Sequence, residues 1–157
     1  MGNIVGKSIF VIAVALLTVT SAFAADESLG TWKLNMDKSQ FSPSAPVKSL
    51  TTVREASDDG VKVSTTGERA DGTPINASYT AKYDGKEYPV TGAPYDSIAI
   101  KQVNAHTFTA TQKNSSDKYS TTVRSVISGD GKIMTNTVKG VGADGNPVSY
   151  TMVYEKQ

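Results

Sequence analysis

Five Asp-Gly turn signatures, all after residue 57, constrain the fold more than any other feature of this chain. They are DDG at 58–60, ADGTP at 70–74, YDGKE at 83–87, GDGK at 129–132 and ADGNP at 143–147. Asp-Gly supplies the positive φ that a tight hairpin requires. Each signature joins two segments in which Val, Ile, Thr and Tyr alternate with polar residues, which is the period of a strand with one buried face. The pattern predicts an all-β fold of about eight to ten short strands.

The alternation also predicts how the strands are arranged. Between these turns no segment is continuously apolar, which argues against a parallel sheet covered on both faces. We therefore predict an antiparallel up-and-down meander that closes into a barrel. Its inner face is predicted to carry Trp32, Leu34, Val61, Val63, Ile75, Ala77, Tyr79, Ala81, Tyr83, Tyr88, Val90, Ile98, Ile100, Phe108, Ala110, Tyr119, Val123, Ile133, Val148, Tyr150, Met152 and Tyr154.

Two stretches near the start of the barrel stand out. Trp32, the only tryptophan, follows Gly30 in the first strand and is predicted to close one end of the barrel, with Gly30 allowing the backbone to come close to the ring. Met36 to Ser49 lacks clear alternation and is rich in Ser and Pro. It is predicted to be a loop crossing one end of the sheet, with Phe41 as a plug.

Residues 1–24 have the features of a secretory signal peptide. Lys7 gives a basic start, an apolar run follows, and AFA at 22–24 fits the small-x-small cleavage pattern. Residues 25–157 are then predicted to form one β-barrel domain in the periplasm or outside the cell. No later segment is apolar enough to span a bilayer as a helix.

Charge and cysteine content exclude several classes of function. The chain has 16 Lys and Arg against 15 Asp and Glu, and Lys7 is the only charged residue before residue 25. This neutrality gives no reason to expect a nucleic acid or an anionic membrane surface as a partner. The chain has no cysteine, which excludes disulfides, a thiol nucleophile and a thiolate metal site.

No catalytic constellation can be assembled from the sequence. His106 is the only histidine and lies at a predicted hairpin tip. It could be a haem or metal ligand, but an exposed turn residue is the simpler interpretation because no second ligand type is close in sequence. There is no Gly-x-Ser-x-Gly elbow, and any Ser-His-Asp set would have to use His106. We therefore expect no enzyme activity, no metal and no cofactor.

The tyrosines are the most informative candidates for a binding site. Six of the seven fall on the predicted inner face, and Tyr95 sits apart in a loop. Buried tyrosines need hydroxyl partners, so they imply either internal hydrogen bonds or a semi-polar cavity, whereas rings that simply fill a small barrel are the alternative. The candidate ligand-binding residues are Trp32, Tyr79, Tyr83, Phe108, Tyr119, Tyr150, Met152 and Tyr154.

Arg124 is the one arginine whose orientation the sequence leaves open. It alternates with Val123 in STTVRSVIS, so the predicted register places it outside, where a solvated charge is expected. If the register slips by one residue, Arg124 points inward and would be a counter-ion for an acidic ligand.

The chain resembles the calycin superfamily, which contains the lipocalins and the fatty-acid-binding proteins. GTWKL at 30–34 is similar to the opening of both groups, and VYEK at 153–156 is similar to the closing strand of the fatty-acid-binding proteins. The chain after the signal also resembles a family of small exported bacterial proteins that open with a Trp-Lys-Leu-Asn strand and carry repeated Asp-Gly hairpins. The resemblance implies a calycin barrel that binds a ligand inside.

The departures from these families shape the expected ligand. Fatty-acid-binding proteins carry an Arg two residues before the closing Tyr, and here Met152 stands before Tyr154. Their helical lid and the lipocalin helix and disulfide cannot be placed. The expected function is binding of an apolar or amphipathic small molecule, with an uncharged ligand preferred over a fatty acid. The alternative is a protein-interaction module, such as an inhibitor or envelope component, with a filled core and no small ligand.

Overall fold

A computed structural model describes residues 26–42, 45–58 and 60–157, and all of their regular structure is β-strand. The predicted signal peptide and its cleavage site lie outside these residues. None of the described residues belongs to a helix long and apolar enough to cross a bilayer. The ten strands are β1 Gly30–Ser42, β2 Val47–Ser57, β3 Gly60–Arg69, β4 Pro74–Lys82, β5 Asp84–Thr91, β6 Ser97–Asn104, β7 Thr107–Lys113, β8 Ser120–Ile127, β9 Ile133–Val141 and β10 Pro147–Lys156.

The strands form one antiparallel meander that closes into a barrel. Each strand pairs with its neighbours in sequence, and β1 closes the sheet by pairing with β10. The weakest seam is between β4 and β5, where only Ser78 with Thr91 and Tyr79 with Val90 are in register. The predicted all-β meander and barrel are therefore confirmed, with a strand number inside the expected range.

The Asp-Gly signatures lie where the chain reverses. Four of the five fall in connections between consecutive strands, and YDGKE starts at the one-residue connection, Tyr83, and continues into β5. The DDG hairpin pairs Ser57 with Gly60, and Asp58 at its tip has φ 35°. Positive φ at such positions lets the strands on both sides keep their twist.

Eleven of the 22 residues of the predicted inner face are buried, and the other eleven are half-buried. Trp32, Val61, Val63, Ile98, Ile100 and Phe108 are each no more than 3% exposed. Ile133 was assigned to the inner face wrongly. Its neighbour Met134 is 3% exposed and pairs with Tyr154, so Met134 and not Ile133 follows the inward register of β10.

The prediction of a loop from Met36 to Ser49 is also wrong over most of its length. β1 continues to Ser42 and β2 begins at Val47. The register of β1 against β10 shifts between Asn35 and Gln40, which is a bulge. Ser39 supports it, because its hydroxyl donates to the Asn35 carbonyl and accepts from the Val153 amide. The bulge breaks the alternation, so a long strand has the sequence pattern of a loop.

The two ends of the barrel differ. The closed end consists of residues 26–30 with the connections at 83, 105–106 and 128–132, and the open end consists of the connections at 70–73, 92–96, 114–119 and 142–146. Trp32 lies at the closed end, as predicted, and is fully buried. Gly30 is needed there for its φ of 118° and because a Cβ would press against the Lys156 side chain, not against the indole ring.

Candidate functional site

A cavity of about 310 Å³ lies inside the barrel. Its walls reach from residues of the open-end connections, such as Pro94 and Tyr95, down to Arg54 and Tyr154. Aliphatic and aromatic side chains of the inner face make up much of the wall. They include Leu50, Val63, Ile75, Ile98, Ile100, Phe108, Val123, Met134 and Val138. The volume is at the lower end of the range of small-molecule sites, which is roughly 300 to 1,000 Å³.

Most of the predicted binding residues belong to this cavity wall. Six of the eight line it, namely Tyr79, Phe108, Tyr119, Tyr150, Met152 and Tyr154. Trp32 and Tyr83 are instead part of the packing at the closed end, where the Tyr83 ring packs against Phe108 at a tilt of 49°, with ring centroids 5.1 Å apart. Four of the five candidate tyrosines therefore line the cavity, and Trp32 packs in one buried cluster with Phe108 and Tyr154 of its wall.

The sequence predicts that Tyr95 lies apart from the other tyrosines, and this prediction is wrong. It lines the cavity and stacks on Tyr119, with ring centroids 5.8 Å apart and ring planes inclined by 25°. The loop that carries it folds back over the barrel, since the Asp96 amide donates to the Lys113 carbonyl and the Asp96 carbonyl accepts from Val90. Ala93 and Pro94 in the same loop also line the cavity. An alternation pattern cannot detect such a loop.

The tyrosine hydroxyls give the cavity a semi-polar character. Burial, with the nearby Tyr79, Tyr119 and Tyr154, raises the pKa of Tyr95 well above its usual value. Burial also raises the pKa of Tyr119 and Tyr150. The phenols therefore stay protonated at neutral pH, and each can donate or accept a hydrogen bond. Within the described part of the chain, the hydroxyls of Tyr95 and Tyr150 have no hydrogen-bond partner.

Arg54 is the cavity residue that the sequence analysis missed. It lies on β2 between Gly30 of β1 and Val63 of β3, and directly paired residues point to the same face of a sheet. Its Nη2 donates to the Ser28 hydroxyl at 3.2 Å, while Nε is buried without a partner. Burial raises the pKa of the Tyr79 hydroxyl, and the charge and hydrogen bond of the nearby Arg54 guanidinium offset part of this increase.

The other arginines lie elsewhere on the barrel. Arg124 pairs with Thr109 and Thr137 and is exposed, so the predicted outward orientation is confirmed. Arg69 is at the end of β3 and lines the cavity near the open end. Two arginines therefore line the cavity, Arg54 of β2 and Arg69 of β3, whereas Arg124 of β8 does not.

The closed end is held by hydrogen bonds to residues 26–28. The indole Nε1 of Trp32 donates to the Ser28 carbonyl at 2.8 Å, and the Tyr83 hydroxyl donates to the Asp26 carboxylate at 2.6 Å. Burial, followed by this hydrogen bond, raises the pKa of Tyr83 to about 12. The Lys156 ammonium lies 5.0 Å from the centre of the indole ring and donates to the Glu27 carbonyl. Most of the polar groups here are used for structure.

His106 belongs to the closed end as well. It sits in the turn between β6 and β7, as predicted, and its Nδ1 lies 2.9 Å from the Glu27 carboxylate. In the described residues, no three His, Cys, Asp or Glu side chains come together as a metal site. The His106 side chain thus ties the N-terminal segment to the barrel.

Polar side chains between the apolar walls complete the site. Thr65, Thr109, Gln112, Ser125 and Asn136 line the cavity, and Asn136 Oδ1 is buried without a partner. Together with Arg54 and the tyrosines, they can position a small molecule by a few hydrogen bonds while the apolar walls cover its body. A comparison of the chain with models of known protein families and with curated proteins found no match.

Proposed function

We propose that this chain is an exported, calycin-like protein that holds an apolar or amphipathic small molecule inside its barrel and has no catalytic role. The observation that carries the proposal is the cavity of about 310 Å³, whose apolar wall is interrupted by the hydroxyls of Tyr95 and Tyr150, which have no hydrogen-bond partner among the described residues. An apolar molecule leaving water for such a wall is stabilised in proportion to its buried area. The hydroxyls would orient whatever polar group it carries.

The direct test is native mass spectrometry of the protein purified from its own host, followed by extraction of any co-purifying molecule. We expect an added mass that organic solvent removes and that rebinds to the extracted protein.

A matched pair of variants shows whether the molecule lies in the cavity. Ala77 lines the cavity, whereas Ala99 lies between the buried Ile98 and Ile100 and so faces outward. Ala77→Phe should reduce rebinding by about tenfold or more because the ring occupies part of the cavity, and Ala99→Phe should leave it unchanged. Equal binding by both variants, or no bound molecule at all, would contradict the proposal and favour the protein-interaction module.

A further inference from the structure

We propose that the ligand carries a carboxylate and that Arg54 binds this head group at the deep end of the cavity. This inference rests on the proposed function, because it assigns the chemical class of the molecule in the same site. It reverses the expectation of an uncharged ligand, which depended on Met152 standing where fatty-acid-binding proteins have an arginine. That expectation considered β10 alone, whereas the structure places an arginine in the cavity wall from β2.

The first argument is that the protein leaves donors of Arg54 unused. A guanidinium has five N–H donors. The described contacts of Arg54 are one hydrogen bond to the Ser28 hydroxyl and the interaction with the Tyr79 hydroxyl, and Nε has no partner. Both contacts are to neutral groups. A carboxylate can accept two parallel hydrogen bonds from a guanidinium, which is the strongest pairing open to these donors.

The second argument is that the charge of Arg54 has no carboxylate beside it. In residues 26–42, 45–58 and 60–157, no Asp or Glu lies within ion-pair distance of its guanidinium. Asp26 is connected to Arg54 only through neutral groups, since its carboxylate accepts from the Tyr83 hydroxyl and the Ser28 amide. A partly buried charge without a counter-ion is costly, and an anionic ligand would offset that cost.

The third argument is the position of Arg54 along the cavity. Arg54 pairs with Gly30, at the start of β1, so its guanidinium belongs to the end of the cavity next to the closed end. The apolar wall continues from there toward Tyr95 and Pro94 at the open end. A molecule with its carboxylate at Arg54 would therefore lay its apolar part along this wall. Tyr79 would supply a second donor beside the head group.

The experiment compares decanoate with decanol, which have equal chain lengths, by calorimetric titration of the extracted protein. At neutral pH we expect decanoate to bind about tenfold or more tightly than decanol, because hydrogen bonds to a charged group contribute more than those to a neutral one. At roughly pH 4, where much of the carboxylic acid is protonated, the preference should shrink. This second measurement requires no variant.

Three substitutions locate the head group. Arg54→Met should remove the preference for decanoate over decanol, and Arg54→Lys should keep only part of the preference because the planar guanidinium that can bind both carboxylate oxygens is lost. Arg124→Met removes the same charge from the outer face and should change neither affinity. Arg69→Met tests the cationic side chain near the open end and should have a smaller effect than Arg54→Met.

The outcomes are distinguishable. Equal binding of acid and alcohol by the wild-type protein would overturn the role of Arg54 while leaving the proposed function standing. The role of Arg54 would also be overturned if Arg69→Met or Arg124→Met removed the preference for decanoate as fully as Arg54→Met does. Failure of both molecules to bind would count against the proposed function itself. Circular dichroism of each variant checks that the barrel is folded. If Arg54→Met does not fold, the role of Arg54 is tested by Arg54→Lys and by the pH dependence of decanoate binding.

Discussion

The two ends of the barrel use the same residue types for different purposes. At the closed end, the hydroxyl of Tyr83 and the indole of Trp32 are bound to Asp26 and to the Ser28 carbonyl. At the open end, Tyr95 and Tyr150 line a cavity, and within the described residues their hydroxyls are unpaired. Aromatic residues with satisfied polar groups stabilise a fold, whereas those with unused donors are available to a ligand.

The difference arises from what covers each end. Residues 26–28 turn back under the barrel and provide backbone and side-chain partners, and Ser28 is 1% exposed. Arg54 lies at the boundary, because one of its nitrogens is bound to Ser28 of the closed end while its side chain lines the cavity. The comparison predicts that substitutions at the closed end affect stability and that equivalent substitutions at the open end affect binding.

The largest effect should come from Trp32. Trp32→Ala removes a fully buried ring and its hydrogen bond, so we expect the free energy of unfolding to fall by about 3 to 5 kcal/mol. Tyr95→Ala at the open end should cost less than half as much, because it enlarges a cavity that already exists. Urea denaturation of both variants provides the measurement. A decrease in the free energy of unfolding of less than about 1 kcal/mol for Trp32→Ala would contradict the assignment of the closed end as the stabilising end.

Removing single hydroxyl groups sharpens the comparison. Tyr83→Phe removes the hydroxyl donor of the Asp26 carboxylate, which then keeps only the Ser28 amide, and we expect a loss of about 1.5 kcal/mol, as for other hydrogen bonds to charged groups. Tyr150→Phe removes a hydroxyl that has no protein partner, so its effect should lie within about 0.5 kcal/mol. Equal losses for the two variants in thermal unfolding would show that the two ends do not differ in this way.

The smallest effect should come from the contact between Glu27 and His106. Both side chains are more than a third exposed, so Glu27→Gln should cost at most about 1 kcal/mol, and less at high salt. Glu87→Gln removes a comparable exposed pair with Lys113 on the barrel wall and is the control. If His106 holds the N-terminal segment in place, Glu27→Gln should also speed hydrogen exchange of the Ser28 and Leu29 amides, whereas Glu87→Gln should not.

Arg54 shows how a site residue can be missed although the sequence contains the signal for it. In TTVREAS, Val53 is the only large aliphatic residue, so the local pattern favours Val53 as the inward residue. Val53 is in fact 37% exposed. The hairpin that pairs Ser57 with Gly60 also pairs Arg54 with Val63, which was correctly predicted to face inward. Turn geometry sets the register more reliably than a weak local pattern.

The sequence alone determined most of the strands, the antiparallel meander and the inward position of the strand tyrosines, because alternation and Asp-Gly turns act over a few residues. The tertiary structure decided the rest. The bulge of β1 against β10, the contacts of Ser28 with Tyr83 and Arg54, and the position of Tyr95 at the cavity depend on residues far apart in the chain. Whether the barrel is filled depends on how all ten strands are staggered and on the summed volume of the inward side chains, and no single strand encodes either quantity.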